Sequence, residues 1–232
     1  EDNHSFNSIA LGLMKDLPKP QTDSPAEQRK RLLEIIHAKD YTATAKKIGG
    51  EGGVAHFQIA LGRDWTVPAT VFTPPEAKAT TMLIADEGRA KQAAAVTQLM
   101  EDGYRVVALD PFFFGESKIK SRDFLHVILM HAVGERALGV QAGQLAAIAD
   151  WAAEMYGGPV GLQSIGPRLS VAARLAAVQT KSIQTVTLHD PMKSLKEIIT
   201  ENRGANHLPE MMCFGLLEAF DLKQIEALKL KP

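Results

Sequence analysis

The sequence predicts an α/β protein: a doubly wound, mostly parallel sheet with helices on both faces, preceded by antiparallel N-terminal strands. Three observations carry this. From residue 79 onward, short continuous apolar runs alternate with helical segments, the pattern of βαβ units around a sheet buried on both faces. Before that point, three alternating segments follow one another with no helix between them. The last clear strand is Ile183 to Asp190, IQTVTLHD, after which the chain reads as helix and loop to Pro232.

Residues 1–24, with Pro18, Pro20 and scattered polar residues, read as an extended lead-in, and residues 25–232 as a single domain. Ser24-Pro25 followed by Glu27 and the apolar set Leu32, Leu33 and Ile36 marks a helix start: cap, proline in the first turn, and glutamate three residues after the cap. Tyr41 to Ile48 and Ala55 to Leu61 alternate as strands around GGEGG, a turn that needs positive φ. Trp65 to Phe72 is a third extended segment, which Pro68 places at an edge or a bulge. The parallel part follows as strand Thr81 to Ala85, helix Lys91 to Glu101 ended by Gly103, and strand Arg105 to Leu109. Then come the Ala-rich helix Arg136 to Tyr156 ended by Gly157-Gly158, strand Pro159 to Gln163, helix Leu169 to Gln179 and strand Ile183 to His189.

With 232 residues, 45% of them hydrophobic and 23% charged, one large core is the expected outcome. A net charge of −1 gives no electrostatic footprint for nucleic acid or an anionic membrane, and no apolar run approaches the roughly 18 residues of a membrane helix. The basic cluster Arg29, Lys30 and Arg31 shares its helix with Glu27 and Glu34 and reads as a solvated face. The single cysteine, Cys213, excludes an intrachain disulfide framework and reads as a buried thiol in MMCFGLL. His126 and His131 in FLHVILMH are five apart, off a common helical face, so no metal site is expected. No cofactor is expected either. The first parallel strand is followed by Ala85-Asp86-Glu87-Gly88-Arg89, where a dinucleotide site needs a glycine fingerprint and where two carboxylates repel a pyrophosphate, and there is no phosphate-binding GxxxxGK[ST] loop.

The stretch LIADEGRAKQAAAVTQLMEDGYRVVALDPFFFGES carries Gly103, Tyr104, Val106, Asp110, Gly115 and Ser117 at the spacing GY-x-V-x-x-x-D-x-x-x-x-G-x-S. Near the end, LLEAFDLKQIEALKLKP carries Phe220, Asp221, Leu222, Leu228 and Pro232. On these residues the chain resembles the α/β-hydrolase superfamily, in its dienelactone-hydrolase and acetyl-xylan-esterase-like branch, from about Tyr41 onward. The resemblance implies acyl transfer on a small-molecule ester, possible carbohydrate esters included, by a serine on a strand-to-helix elbow. Its oxyanion loop would lie at Glu87-Gly88 and Asp110 would organise the following loop. It also implies a periplasmic or secreted protein, while the scarcity of cysteine suits the cytosol equally. The start, EDNHSFNSIALG, has no basic segment or initiator Met and reads as a chain after signal removal or trimming.

Two registers fit the elbow in PVGLQSIGPRLSVAARLAA. Aligning the helix SVAARLAA places Ser164 and Arg168 at the two flanking glycine positions and Gly166 at the nucleophile; Ser164 is then a turn residue capping the helix. The other register makes Ser164 the nucleophile but crowds the elbow with Leu162, so the first is preferred. Asp190, after the Ile183 strand, is the candidate acid, and His207 in ENRGANHLPE is the only histidine left for a base. In the family the acid and histidine follow later strands, and FDL-type segments lead directly into the next core strand. The resemblance therefore implies that the chain is a fragment or a form that evolved without those strands, with an uncovered sheet edge through which it could oligomerise. The competing readings are an esterase-type hydrolase, a non-catalytic hydrolase-fold module that binds a small ligand or a partner chain, and a flavodoxin-like carrier.

Overall fold

The computed structural model describes residues 5–231. Seven strands form one sheet: β1 (Ala43–Gly49), β2 (Val54–Leu61), β3 (Trp65–Phe72), β4 (Ala79–Ala85), β5 (Tyr104–Leu109), β6 (Val160–Ile165) and β7 (Ile183–His189), in the order β1-β2-β3-β5-β4-β6-β7. The first three pair antiparallel and β3 joins β5 antiparallel. β5, β4, β6 and β7 are parallel neighbours, which is the doubly wound core expected from the alternation of apolar runs and helices. Helix α3 (Ala93–Glu101) covers one face over β4 and β5, with Val96 on Leu83, Val106 and Ala108. Helices α5 (Ala137–Tyr156) and α6 (Pro167–Gln179) cover the other, where Met82, Ile84, Val107, Leu109 and Leu162 form the main core.

Two sequence expectations change. Residues 6–13 form a helix, α1 (Phe6–Leu13), capped by Ser5, whose side chain accepts from the Ser8 N–H. The rest of the lead-in is strapped to the body, with Lys19 N donating to Glu218 O at 2.9 Å and Gln21 Nε2 to Ala219 O at 3.0 Å. Pro68 does not put β3 at an edge. β3 is flanked on both sides, and Pro68 lies just beyond the β5 ladder, where its carbonyl still accepts from Asp110 N at 3.2 Å. A strand interior tolerates proline there because no ladder partner needs its missing N–H.

Helix α2 (Pro25–Ile35) has the capping box expected from Ser24 and Glu27. The chain that leaves it crosses α5 at Gly139 and Gly143. A Cβ on Gly139 would collide with the Ile36 carbonyl, and one on Gly143 would stand 2.5 Å from Lys39 O. These glycines are four apart on one face of a helix that is buried along most of its length, so they let a backbone lie directly across it.

The other α-helices among the described residues are α4 (Asp123–Ala132) before α5, and the short α7 (Glu197–Thr200), α8 (Leu216–Ala219) and α9 (Leu222–Ala227) after β7. Asp221 caps α9 and also accepts from Leu195 N at 2.7 Å, while Phe220, Leu222 and Leu228 are buried beneath α6 and α2. Among the described residues β7 has a strand neighbour on one side only. Its outer side carries Lys229 Nζ on Gln184 O at 2.5 Å and a groove of about 170 Å³ bounded by Val186, Leu188 and Ala177.

Candidate active site

The chain runs from β4 through α3 to β5 on one side of β4, then returns to β6 on the other. The strand order therefore reverses between β4 and β6, and the crevice at their carboxyl ends is where doubly wound proteins bind ligands. Asp86 follows β4 directly and Gly166 follows β6 directly.

β6 extends two residues past the expected Gln163, through Ile165, and α6 begins two residues early, at Pro167. That leaves Gly166 alone between strand and helix, with φ 104 and ψ 159. Ser164 lies inside β6, paired with Ile84 and Leu188; it is 0% exposed, and its Oγ has no hydrogen-bond partner. It does not cap α6. The cap comes from across the crevice: the Asp86 carboxylate accepts from Arg168 N at 2.9 Å and Leu169 N at 2.8 Å. Helix N-termini attract anions through their free N–H groups and dipole, and here the chain's own carboxylate fills that place. Burial raises the Asp86 pKa above its ordinary value, against the opposing pull of those two N–H donors.

Asp86 also takes up the room at the turn. A Cβ on Gly166 would stand 2.5 Å from Asp86 Cγ and 2.6 Å from Oδ2, well inside van der Waals contact. Behind it, Arg168 Nε and Nη2 each bond the Glu210 carboxylate at 2.6 Å, with the Glu210 side chain fully buried and the guanidinium 4.7 Å from the Phe114 ring centre. The sequence placed Arg168 only at a flanking position of the elbow and Asp86 only as a carboxylate that repels a pyrophosphate, and it did not single out Glu210. A glycine followed by proline at a helix start leaves the first turn without a side-chain cap of its own, the one local sign that a donor set waits for a distant acceptor.

The loop at Glu87-Gly88, expected to carry oxyanion donors, is tied to its own chain. Gly88 N donates to Ala85 O at 2.8 Å, and Glu87 is exposed. Gly88 sits so close to Gly115 that a Cβ would lie 2.5 Å from its Cα. Asp110 organises this contact, accepting from Arg89 N at 2.7 Å and Glu116 N at 3.0 Å and pairing with the Arg89 guanidinium. Pro167, directly after the elbow residue, has no N–H to offer an oxyanion.

The remaining candidates are not brought together. Asp190 is exposed after β7 with φ 49, and His207 is exposed in the turn after Gly204. Neither bonds the Ser164 hydroxyl. His189 is held at 2.9 Å from Gln163 Oε1. Cys213 is buried, and burial pushes its thiol up to about 12. Among the described residues no group of three His, Cys, Asp or Glu side chains is placed to hold a metal ion. Cavities of about 710 and 620 Å³ open elsewhere, between α2 and α5 and between α3 and the β2–β3 face.

No family model and no curated protein sequence matches the chain. Solved structures do. A Bacteroides fragilis protein assigned as an acetyl xylan esterase superposes with a TM-score of 0.72 at 13% identity, over 98% of this chain and 73% of its own. The chain has an α/β-hydrolase-like fold. Acetyl xylan esterase 1 of Thermoanaerobacterium sp. JW/SL YS485 superposes with a TM-score of 0.62 at 15% identity, over 95% of this chain and 80% of its own. The acetyl xylan esterase of Paenibacillus sp. R4 does so with 0.55 at 10% identity, over 95% and 81%. The turn after β6, one of the two elbow registers expected from the sequence, holds Gly166.

Removing the Ser164 hydroxyl tests its role. Ser164→Ala is expected to leave stability unchanged or raise it by up to about 1 kcal/mol, because a buried hydroxyl without a partner is lost. Urea unfolding measures this, and a loss of more than about 1 kcal/mol would reveal a hydrogen bond at Ser164 that this account lacks.

Proposed function

We propose that this chain is an esterase-type hydrolase by ancestry whose elbow no longer performs acyl transfer, and that it works as a non-catalytic hydrolase-fold module. One observation carries the reading: the Asp86 carboxylate occupies the space that any side chain at position 166 would need. Acyl transfer by this fold requires a nucleophile, a base oriented by an acid, and N–H donors aimed at the oxyanion. Position 166 is glycine and residue 167 supplies no N–H. The N–H groups of Arg168 and Leu169 are bound to Asp86, and Ser164 is sealed within the sheet. The ancestral substrate class is an acetyl ester, carbohydrate esters included, in keeping with the names of the structural neighbours.

The test is hydrolysis of p-nitrophenyl acetate together with fluorophosphonate labelling of the 232-residue chain, with Ser164→Ala as control. The expected result is no serine-dependent turnover and no label. Triad losses in serine hydrolases remove on the order of three to six decades of rate, so residual activity at that level is also expected to escape detection. Stoichiometric labelling that disappears in Ser164→Ala would overturn the reading and make Ser164 the nucleophile.

A further inference from the structure

The large apolar side chains left in solvent are not scattered. On α1, Phe6 is 95% exposed, with Ile9 and Leu13 exposed at the i+3 and i+7 positions of the same stripe. On and just after α4, Leu125, Ile128, Leu129 and Val133 form a second stripe, Val133 being 76% exposed. Phe214 lies between, 69% exposed, with its ring centre 5.2 Å from that of His131 on α4. These make eight of the eleven exposed large apolar side chains among the described residues, and they lie on elements joined to one another through α7 and the 209–217 segment. The parts are joined: α1 packs on α7, and Ile198 and Ile199 at α7 share a groove of about 180 Å³ with Met211, Met212, Phe214 and Leu217.

Charge is missing where solvent would favour it. α1 contains no charged residue, and α4 has only Asp123 besides its two histidines, whereas the solvated helix α2 carries five charges in eleven residues. Depletion of charge with retention of aromatic and aliphatic side chains marks the centre of a protein interface. The exposed area is also of the right size. With about 150–200 Å² for each fully exposed large side chain, the eight residues present on the order of 800 Å², the share of one partner in a standard interface and above the largest patch of a typical monomer.

We infer that this face binds a second copy of the chain, with α1 of each protomer laid on α4 of the other about a two-fold axis through the Phe214 groove. Two apolar stripes flanking one groove are self-complementary under such an axis, because a single operation covers both stripes on both copies. The inference is independent of the reading of the elbow.

Sedimentation equilibrium of the 232-residue chain should give a dimer of the 25.2 kDa protomer. Leu13→Glu on α1 and Leu129→Glu on α4 should each raise the dimer Kd about tenfold or more, with the far-UV circular dichroism spectrum unchanged because both side chains are at the surface of the protomer. A mixture of the two variants should associate more tightly than either alone, since the heterodimer restores one unaltered α1–α4 contact. A monomer at all concentrations would overturn the inference. So would a dimer that survives both substitutions but dissociates with Leu188→Pro, at a residue whose backbone faces away from β6, which would assign the contact to the free edge of β7. Co-sedimentation of a monomer with phosphatidylcholine–phosphatidylserine vesicles, lost in the same variants, would likewise overturn it and assign the face to a lipid surface.

Discussion

Gly166→Ser is expected to destabilise the protein by about 3 kcal/mol or more and to leave it inert towards esters. Two causes add. Position 166 has φ 104, a region that L side chains enter only under strain, and the new Cβ would meet Asp86 Cγ at 2.5 Å. Tm should fall by roughly 6–12 °C, taking about 2–4 °C per kcal/mol for a domain of this size. Adding Asp86→Gly removes the obstruction and also uncaps α6, so the double variant should be less destabilised than the sum of the singles, with a coupling of about 1–3 kcal/mol. Thermal and urea unfolding of the four members of this cycle measure the coupling. Additive effects, or a Gly166→Ser protein within about 0.5 kcal/mol of the parent, would mean that Asp86 does not fill the turn. Even the double variant should not hydrolyse p-nitrophenyl acetate, because Pro167 still offers no N–H and His189, whose carbonyl accepts from Gly166 N at 2.9 Å, has its ring held on Gln163 Oε1.

Glu210→Ala should cost about 3–5 kcal/mol, and Tm should drop by on the order of 10 °C. The Glu210 side chain is fully buried and holds the Arg168 guanidinium through two bonds of 2.6 Å. Truncation strands a largely desolvated cation above Phe114 and loosens the turn whose N–H groups bind Asp86. Glu210→Gln keeps the shape with a weaker acceptor and should lie between. The paired replacement Arg168→Met with Glu210→Leu should recover most of the loss, since a buried ion pair often does little better than apolar residues of similar volume. A Tm change below about 2 °C for Glu210→Ala would show that the pair contributes no net stability.

The outline of the fold was legible in the sequence because hydrophobic period and punctuation are local. Apolar runs at β4, β5 and β6 sit between helical segments, glycines end α3 and α5, and Ser24 with Glu27 caps α2. The loop role of Asp110 was legible for the same reason, since its partners Arg89, Glu116 and Ser117 belong to the motif that carries it. The choice of elbow was narrowed but left open. Whether residue 164 or 166 ends the strand depends on how far β6 stays paired, and that is decided by its neighbours: Ile84 and Leu188 hold Ser164 in register, and Ile165 still pairs with Ala85 and His189.

Other features depend on contacts between residues far apart in the chain, which no local pattern encodes. Asp86 reaches Arg168 and Leu169 across 82 and 83 positions, and Glu210 meets Arg168 across 42. Gly139 and Gly143 matter because the backbone at residues 36–39 lies on them, although the Ala-rich stretch around them reads as ordinary helix. α1 lacks the charges of a solvated helix and was read as extended chain; its face becomes visible only once α7 and the 211–217 segment are placed beneath and beside it. The sequence by itself determined the main strands and helices and the α/β class, because these follow from period and spacing. Only the tertiary structure decided that the turn after β6 is closed by a carboxylate from the end of the neighbouring strand, because that depends on which side chains share a few cubic ångströms at the strand ends.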